Sequence, residues 1–210
     1  MKQARFYYIC GIDGSGKTTL AKGLAQYIEE YKNVKVANLS KESVMIMEMN
    51  SVCKKFGTTR WIEFSDFYRG MVWAIEMLNV SYNIVKKNLE EDISVIIDRY
   101  FVCNKVYTFL NSDDGMELIN KIHDILIKPD VIVYIQVLPY IANKRIEMRG
   151  EKRTPKETMI NLELAYKRYD KILKEVQQSE EIEVIRIDGS QSKDVVLKNV
   201  CEELRKRGLV

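Results

Sequence analysis

The chain has 210 residues, 46% hydrophobic and 30% charged, which is typical of one globular domain with a sizeable core. The formal net charge is only +3 and there is no basic arm, so we expect no nucleic acid partner. The four cysteines are widely spaced and form no CxxC pair, so neither a disulfide framework nor a zinc site is indicated. Reduced thiols in a cytoplasmic protein are the simpler interpretation of these cysteines. The N-terminus reaches Lys17 without a long apolar region, and no apolar run approaches the roughly 20 residues that cross a bilayer, so we expect neither a signal peptide nor a membrane span.

Short apolar segments alternate with helical patterns along the chain. Three of the five segments are almost continuously apolar, as expected for parallel strands covered on both faces. Between them, apolar residues recur at helical spacing, as at Leu20, Leu24, Ile28 and Tyr31. The alternation predicts an α/β fold, a doubly wound parallel five-stranded sheet flanked by helices. The predicted strands are Arg5–Cys10, Val34–Leu39, Ile93–Asp98, Asp130–Val137 and Ile182–Ile187.

The first predicted strand leads into "GIDGSGKT", Gly11 to Thr18, which fits the P-loop pattern GxxxxGK[ST]. Backbone N–H groups of such a loop surround phosphate oxygens, and the following helix adds its positive end. Lys17 is expected to neutralise the β- and γ-phosphates, and the Thr18 hydroxyl to reach Mg²⁺. The pattern predicts a P-loop NTPase-type fold with ATP and Mg²⁺ as cofactors. The residues expected to bind ATP are Gly11, Gly14, Ser15, Gly16, Lys17, Thr18 and Thr19.

A P-loop indicates nucleotide binding but does not specify the reaction. The base-reading NKxD motif of GTPases is missing, since "NKVY" at Asn104 lacks the aspartate. A small kinase needs an acceptor site and a cationic lid, because phosphoryl transfer depends on positioning and charge neutralisation. The third predicted strand ends in Asp98 and Arg99. There Asp98 is expected to stand beside the P-loop and hold a Mg²⁺-bound water, and Arg99 to face an acceptor phosphate.

A basic segment, "ANKRIEMRGEKRTPKE", follows the fourth predicted strand. Arg145 and Arg149 share one helix face, and Gly150 interrupts the helix before Arg153 and allows the segment to flex. The planar guanidinium group suits phosphate oxygens and base faces. Taken alone, the segment would also fit a solvated basic helix. Beside a P-loop it predicts a small arginine-bearing lid at about residues 140–156 of a single kinase domain, 1–210.

Together these motifs resemble the thymidylate kinase family of P-loop nucleoside monophosphate kinases, over most of the chain. "GIDGSGKTT" resembles the family's P-loop, including the acidic residue at Asp13, and "DRY" is similar to its Asp-Arg-aromatic motif. "KRIEMRGEKR" resembles its lid, and "VIRIDGSQSKDVVLKNV" its last strand, adenine-side loop and closing helix. The resemblance implies Mg²⁺-dependent transfer of the ATP γ-phosphoryl group to a nucleoside monophosphate, forming a nucleoside diphosphate. It also implies a homodimer formed through helices beside the acceptor site.

The resemblance also implies an acceptor site. The Asp13 carboxylate would reach the sugar hydroxyl of the acceptor, Arg99 would bind its phosphate, and Tyr100 would lie beside it. "SKES" at Ser40 loosely resembles the phosphate-contacting Thr-Arg-Glu-Pro turn of the family, with Lys41 in place of the arginine and no proline.

On the ATP side, the resemblance implies that Arg145 lies along the adenine. Gly14 stands where some members of the family carry a P-loop arginine. The cation that stabilises the transition state should therefore come from the lid, as Arg149 or Arg153.

The segment after "DRY" departs from the family pattern. Cys103 replaces a small hydroxyl residue, Val106 an alanine, and Thr108 a glutamine that helps to read thymine, whereas Tyr107 is kept. The transfer machinery is therefore better supported than the thymine pocket, and the acceptor could be dTMP or a modified pyrimidine nucleotide.

The best candidate for the family's base-contacting arginine is Arg69, although it lies farther before Asp98 than the family spacing. Either the intervening helix is longer or Arg69 has another role. Several aromatic residues nearby could stack on a base, but a place in the core is the simpler interpretation, as it is for a methionine cluster. These residues are Trp61, Phe64, Phe67, Tyr68 and Trp73, and Met45, Met47 and Met49.

Two other functions stay open from the sequence. A nucleoside or other hydroxyl compound could be the acceptor, with Asp98 as base, although a need for Arg99 and Lys41 would argue against an acceptor without phosphate. The second alternative is a regulatory protein that binds nucleotide but does not turn it over. The intact Lys17 and lid arginines argue against this alternative. The single histidine, His123, is expected to be a partly buried helix residue without a catalytic role.

Overall fold

A computed structural model describes residues 3–108, 116–179 and 182–210 of the chain. Five strands form one entirely parallel sheet and confirm the predicted α/β architecture, with small differences at the strand ends. The strands are β1 (Phe6–Cys10), β2 (Val34–Asn38), β3 (Ser94–Asp98), β4 (Val131–Gln136) and β5 (Glu183–Asp188). Their order in the sheet is β2-β3-β1-β4-β5, so β1 and β3 are neighbours at its centre.

Helices flank this sheet, as predicted. Their bounds are α1 (Lys17–Glu29), α2 (Leu39–Glu42), α3 (Val44–Lys55), α4 (Arg60–Glu63), α5 (Asp66–Val80), α6 (Lys87–Glu90), α7 (Phe101–Thr108), α8 (Met116–Asp124), α9 (Pro139–Arg149), α10 (Met159–Ser179) and α11 (Lys193–Lys206). Helices α1 and α11 pack against each other, whereas α7 packs between α5 and α10.

The carboxyl ends of β1 and β3 meet at the edge of the sheet where the P-loop begins. Both strands are fully buried, since their side chains are apolar at nearly every position. Their register pairs Ile9 with Asp98, and the P-loop starts directly after β1. The fold therefore places Asp98 and Arg99 beside the loop.

Helix α5 continues through a π-helical segment, Ser81–Lys86, into α6 without a turn. This continuous helix is long, which accounts for the wide spacing between Arg69 and Asp98.

Two expectations about burial were wrong. Met45 and Met47 are 43% and 48% exposed, because α3 turns these positions to solvent instead of to the core. Tyr31 is also exposed, since α1 ends at Glu29, before the apolar pattern does.

Candidate active site

The P-loop, residues 11–18, approaches the lid helix α9 so closely that Gly14 has no room for a side chain. Gly14 has a φ of 79°, and a Cβ atom there would lie 2.5 Å from the carbonyl oxygen of Ala142 in α9. Any larger residue would have to displace α9. The structure thus explains why this loop carries no arginine of its own.

Lys17 begins α1 and is buried against the loop. Its Nζ donates a hydrogen bond to the carbonyl oxygen of Ile12 (2.8 Å) and lies 3.9 Å from Oδ1 of Asp13. Burial and the neighbouring Arg99 lower the pKa of the ammonium group. Lys17 lines an open cleft together with Thr18, where it can reach phosphate oxygens held by the loop.

Asp98 offers an oxygen set that suits Mg²⁺. Its Oδ2 accepts hydrogen bonds from the Thr18 hydroxyl (2.6 Å) and from Nδ2 of Asn38 at the end of β2 (2.7 Å). Its Oδ1 is buried and has no hydrogen-bond partner within the described ranges. A hydroxyl and an unpartnered carboxylate oxygen, with waters, match the coordination that Mg²⁺ takes beside nucleotide phosphates. Sequence reasoning missed Asn38, because nothing in its local pattern marks it.

Asp13 is the centre of a buried charge cluster. Its carboxylate pairs with Arg99, and its Oδ2 lies 3.2 Å from Nζ of Lys156. Burial opposes ionisation of Asp13, but Arg99, Lys156 and Lys17 outweigh it and hold the pKa of the carboxyl far below its ordinary value. Three cations around one carboxylate leave a local excess of positive charge, which suits phosphate groups.

Sequence analysis did not single out Lys156, the last cation of the basic segment. It lies in the short 3₁₀ turn Pro155–Glu157, is only 18% exposed, and lines the same cavity as Arg99 and Tyr107. Basic residues are common in this segment, and only the fold shows which one turns inward. Burial and Arg99 lower the pKa of Lys156 to about 8, although Asp13 opposes the shift.

We expect the acceptor KM to rise as the pH increases through about 8. Lys156 is charged below this value and neutral above it, so a phosphate-bearing acceptor loses one attractive cation at alkaline pH. The measurement is the acceptor KM from neutral to alkaline pH. In the Lys156→Arg variant the charge persists and this rise should disappear. The same rise in both proteins would contradict the expectation that the charge of Lys156 attracts the acceptor.

Arg99 follows β3 in the left-handed backbone region, with a φ of 75°. This conformation costs a residue with a side chain about 1–2 kcal/mol, so the surrounding contacts must hold it. Its N–H donates to the carbonyl oxygen of Ile9 (3.3 Å), and its guanidinium pairs with Asp13. The turn carries the side chain from the end of β3 to the P-loop.

A cavity opens beside this charge cluster, between α4, α5, α7 and the lid turn. Arg99, Lys156 and Tyr107 line it next to the P-loop. The Tyr107 hydroxyl accepts a hydrogen bond from the Asp13 N–H (2.9 Å), which ties α7 to the loop. The helices add further lining residues, among them Trp61, Arg69, Trp73, Cys103, Asn104 and Thr108.

Arg69 lies in this cavity in a fixed orientation. It donates to the carbonyl oxygen of Phe64 and to the Asp66 carboxylate, and its guanidinium lies 4.8 Å from the centroid of the Trp61 ring. The structure therefore brings Arg69 into the same cavity as Arg99, in spite of the unusual spacing.

The neighbouring aromatic residues divide into two groups. Trp61 and Trp73 line the cavity, so base stacking is open to them. Phe67 and Tyr68 are 39% and 49% exposed and do not belong to the core.

Tyr100 and Lys41 are placed less directly. Tyr100 lines the cavity, but its hydroxyl donates to the carbonyl oxygen of Ile127 (3.2 Å). Tyr100 therefore contributes to the wall of the cavity by packing. Lys41 is exposed on α2 and does not line the cavity. Leu39, at the start of the same helix, does.

Arg145 connects the P-loop with the loop after β5. Its Nη1 lies 3.5 Å from the carbonyl oxygen of Ser15, and its Nη2 lies 3.4 Å from that of Ser190. With Thr19 and Gln191 it lines a groove beside the P-loop. A planar guanidinium on the wall of such a groove supports the predicted contact with adenine.

The lid comprises α9, a loop that begins at Gly150, and the Pro155–Glu157 turn. Arg149 lines the same cleft as Lys17 and is held by Glu157 (2.7 Å) and Glu151 (3.0 Å). Arg153 instead pairs with Glu147 (2.9 Å), back along α9. The structure thus brings Arg149 to the cleft over the P-loop, whereas the ion pair with Glu147 holds Arg153 within the lid.

Two clefts share Arg99, one over the P-loop, which Asp13 also lines, and one between α5 and α7. Fold and site together define a P-loop phosphotransferase of the nucleoside monophosphate kinase class. The sequence model of thymidylate kinase matches residues 9–200, and the chain belongs to the thymidylate kinase family. The predicted family and enzyme class are confirmed.

Two thymidylate kinases align with nearly the whole chain. A thymidylate kinase of Leptospira interrogans is 28% identical over 209 residues, covering 96% of this chain and 94% of the relative. The probable thymidylate kinase 2 of Saccharolobus solfataricus is 28% identical over 205 residues, with 93% and 91% covered. None of the helices in the described ranges has the length and apolar character needed to cross a membrane.

Proposed function

We propose that the chain transfers the γ-phosphoryl group of ATP to dTMP, forming ADP and dTDP. The observation that carries this proposal is the junction of the two clefts, where Lys17, Asp13 and Arg99 lie side by side. A γ-phosphate on the P-loop and an acceptor phosphate on Arg99 would face each other there. The names of the relatives add thymidylate as the acceptor. The test is equimolar formation of ADP and dTDP from ATP, Mg²⁺ and dTMP.

The transfer itself requires little covalent chemistry from the protein. An oxygen of the acceptor phosphate attacks the γ-phosphorus, and the bond from that phosphorus to the β,γ-bridging oxygen breaks, so that ADP leaves with the electron pair. The acceptor phosphate is already ionised, so no general base is needed. Lys17 and Arg149 neutralise charge on the transferred group, while Arg99 and Lys156 hold the acceptor phosphate.

Thr18 and Asp98 are the residues that would hold Mg²⁺, directly or through water. When bound, the ion neutralises the phosphate oxygens of ATP and orients them. Asn38 keeps the Asp98 carboxylate in place for this task, through its hydrogen bond to Oδ2.

Two inward-turned cations favour a nucleotide acceptor over a nucleoside. Arg99 and Lys156 are largely withdrawn from solvent, with 16% and 18% of their side chains exposed, and both point at one carboxylate, Asp13. Holding cations together in a poorly solvated place is unfavourable unless anions compensate them. An acceptor phosphate supplies that compensation and a nucleoside does not.

Replacing Arg99 with alanine is expected to raise the acceptor KM by roughly 10- to 100-fold, because a hydrogen bond to a charged group contributes about 1.5–3 kcal/mol. The KM for ATP should change far less. Steady-state kinetics with each substrate varied in turn provide the measurement. An Arg99→Ala protein that still saturates normally with dTMP would favour the hydroxyl-acceptor kinase instead.

A regulatory protein without turnover is less consistent with the site. Such a protein would need to bind nucleotide but not to surround the transferred group with Lys17, Arg149 and an oxygen set for Mg²⁺. Turnover of ATP that rises when an acceptor is added distinguishes the two, and its absence would favour the regulatory function.

We also propose a homodimer formed through α3 and α5. An apolar stripe on α5 and the segment after it leaves Tyr68, Ile75 and Tyr82 between 43% and 49% exposed. Met47 is also exposed, on α3, which packs against α5. Burying this stripe against a second copy would remove it from water. Sedimentation velocity should show a dimer that Ile75→Asp dissociates, and a monomeric wild-type protein would contradict the proposed dimer.

We further propose that the protein is cytoplasmic. Its four cysteines are buried and free, as expected in a reducing compartment.

A further inference from the structure

The Glu157 carboxylate lies where the end of the lid helix α9 meets the turn Pro155–Glu157. Its side chain is only 6% exposed. Its Oε1 accepts a hydrogen bond from Nη2 of Arg149 (2.7 Å), and its Oε2 accepts two from Thr154, one from the backbone N–H (2.7 Å) and one from the hydroxyl (2.8 Å). One buried carboxylate thus joins the last residue of α9 to the turn.

The hydrogen bonds from Thr154 hold Glu157 in one orientation. The two residues form a capping box, in which Thr154 caps the turn and Glu157 reaches back to the Thr154 N–H. Burial opposes ionisation of Glu157, but the hydrogen bonds from Thr154 and Arg149 outweigh it and lower the pKa of the carboxyl. The charged Glu157 therefore has a fixed position from which it can orient Arg149.

The turn that carries Glu157 is itself bound to the P-loop. Nζ of Lys156, the preceding residue, lies 3.2 Å from Oδ2 of Asp13 and 5.1 Å from the centroid of the Tyr107 ring. Helix α9 places the backbone of Arg149. Glu157 places its guanidinium, from a turn that the Lys156–Asp13 ion pair attaches to the P-loop.

Two acids contact Arg149, but only one of them is buried. Glu151 lies 3.0 Å from Nε of Arg149, and its own side chain is 68% exposed. Exposed ion pairs contribute little, because water and salt screen them. The two ion pairs involve Nε and Nη2 of Arg149 and leave Nη1 to reach a phosphate oxygen in the cleft over the P-loop.

We propose that Glu157 is a positioning residue for phosphoryl transfer, which holds the guanidinium of Arg149 over the P-loop and acts on the transferred phosphate only through it. This inference rests on the proposed function. A misplacement of about 1 Å in a group that acts on the transition state can cost roughly 10²-fold in rate. Binding of ATP before the transfer depends less on this orientation.

The Glu157→Gln variant tests this role. The glutamine keeps the size of the side chain, but its single oxygen cannot accept hydrogen bonds from both Arg149 and Thr154. We expect kcat with dTMP to fall roughly 10²-fold, with a smaller change in the KM for ATP. Glu151→Gln is the matched control, because it makes the same change in an exposed acid beside the same arginine, and its kcat should fall far less.

A double-mutant cycle distinguishes positioning from a general loss of structure. In the Arg149→Ala background, Glu157→Gln should lower kcat little further, because the group that it orients is gone. Thermal unfolding checks that each variant is folded. If Glu157→Gln does not fold, Thr154→Val takes its place. It removes one hydrogen bond to the carboxylate and should lower kcat in the same Arg149-dependent way.

Free guanidinium ion, at concentrations far below those that denature proteins, provides a second readout. In the Arg149→Ala protein the Glu157 carboxylate is left to bind this ion, which should restore part of the lost kcat. The Arg149→Ala/Glu157→Gln protein should not respond, whereas Arg149→Ala/Glu151→Gln should. A role of Glu157 in folding alone would not produce this difference.

The outcomes separate this inference from the function beneath it. If the wild-type protein uses dTMP and Glu157→Gln loses kcat only where Arg149 is present, the inference stands. If Glu157→Gln keeps the wild-type kcat, loses it equally without Arg149, or leaves the guanidinium response unchanged, Glu157 does not act through Arg149, although the kinase function stands. If no monophosphate is used at all, the proposed function fails and the inference fails with it.

Discussion

The Lys17→Ala variant is expected to transfer phosphate about 10²–10³-fold more slowly than the wild-type protein. In the proposed reaction the lysine neutralises charge where it develops on the transferred group, and loss of such a group costs about 3–4 kcal/mol of transition-state stabilisation. The fold should persist, because Asp13, the carboxylate beside Lys17, keeps Arg99 and Lys156 as partners.

Steady-state kinetics at saturating ATP and dTMP measure this loss, with thermal unfolding as a check on folding. Lys22→Ala is a matched control, since Lys22 lies on the same helix but is exposed. Near-wild-type turnover by a folded Lys17→Ala protein would remove the basis for assigning the P-loop to phosphate transfer.

The Arg149→Ala variant is expected to lose on the order of 10³-fold in kcat, the lower end of what an arginine that reaches the transferred phosphate contributes. Gly14 leaves the P-loop without its own arginine and has no space for one. Arg149 lines the phosphate cleft and has the conformation of its guanidinium set by Glu157. A cation that acts on charge formed in the transition state changes kcat more than it changes the KM for ATP.

Two neighbouring arginines are the controls for Arg149. Arg153→Ala should have a smaller effect on kcat, because Arg153 is braced by Glu147 within the lid. Arg145→Ala should mainly raise the KM for ATP, since Arg145 lines the groove beside the P-loop. If Arg149→Ala keeps the wild-type kcat while Arg153→Ala loses it, the lid works through the other arginine. If both variants keep it, the transition-state cation is not in the lid.

The parts of the site that could be predicted from the sequence are those in which spacing alone fixes position. The P-loop joins a strand to a helix, so its pattern predicts both elements and the placement of Lys17. Asp98 and Arg99 end a buried strand, and parallel strands bring their carboxyl ends to one edge of the sheet. Gly150 ends α9 in the left-handed region, with a φ of 72°, where glycine is favoured.

Other parts depend on contacts between segments far apart in the chain. Lys156 pairs with Asp13, which lies near the other end of the sequence. The segment around Lys156 contains other basic residues, and the sequence does not distinguish them. Asn104 on α7 is hydrogen-bonded to the Gly70 carbonyl on α5 and to His123 on α8, and no local sequence pattern predicts these contacts. The exposure of Met47 depends on which face of α3 meets α5, and periodicity does not decide this when the neighbouring helix is unknown.

The most direct test of the account compares three reactions of the wild-type protein with ATP and Mg²⁺: with dTMP, with thymidine and with no acceptor. The account predicts rapid formation of dTDP from dTMP and only background turnover in the other two, since Arg99 and Lys156 require a phosphate on the acceptor. Phosphorylation of thymidine at a rate equal to or above that of dTMP, or ATP turnover that no acceptor stimulates, would contradict it.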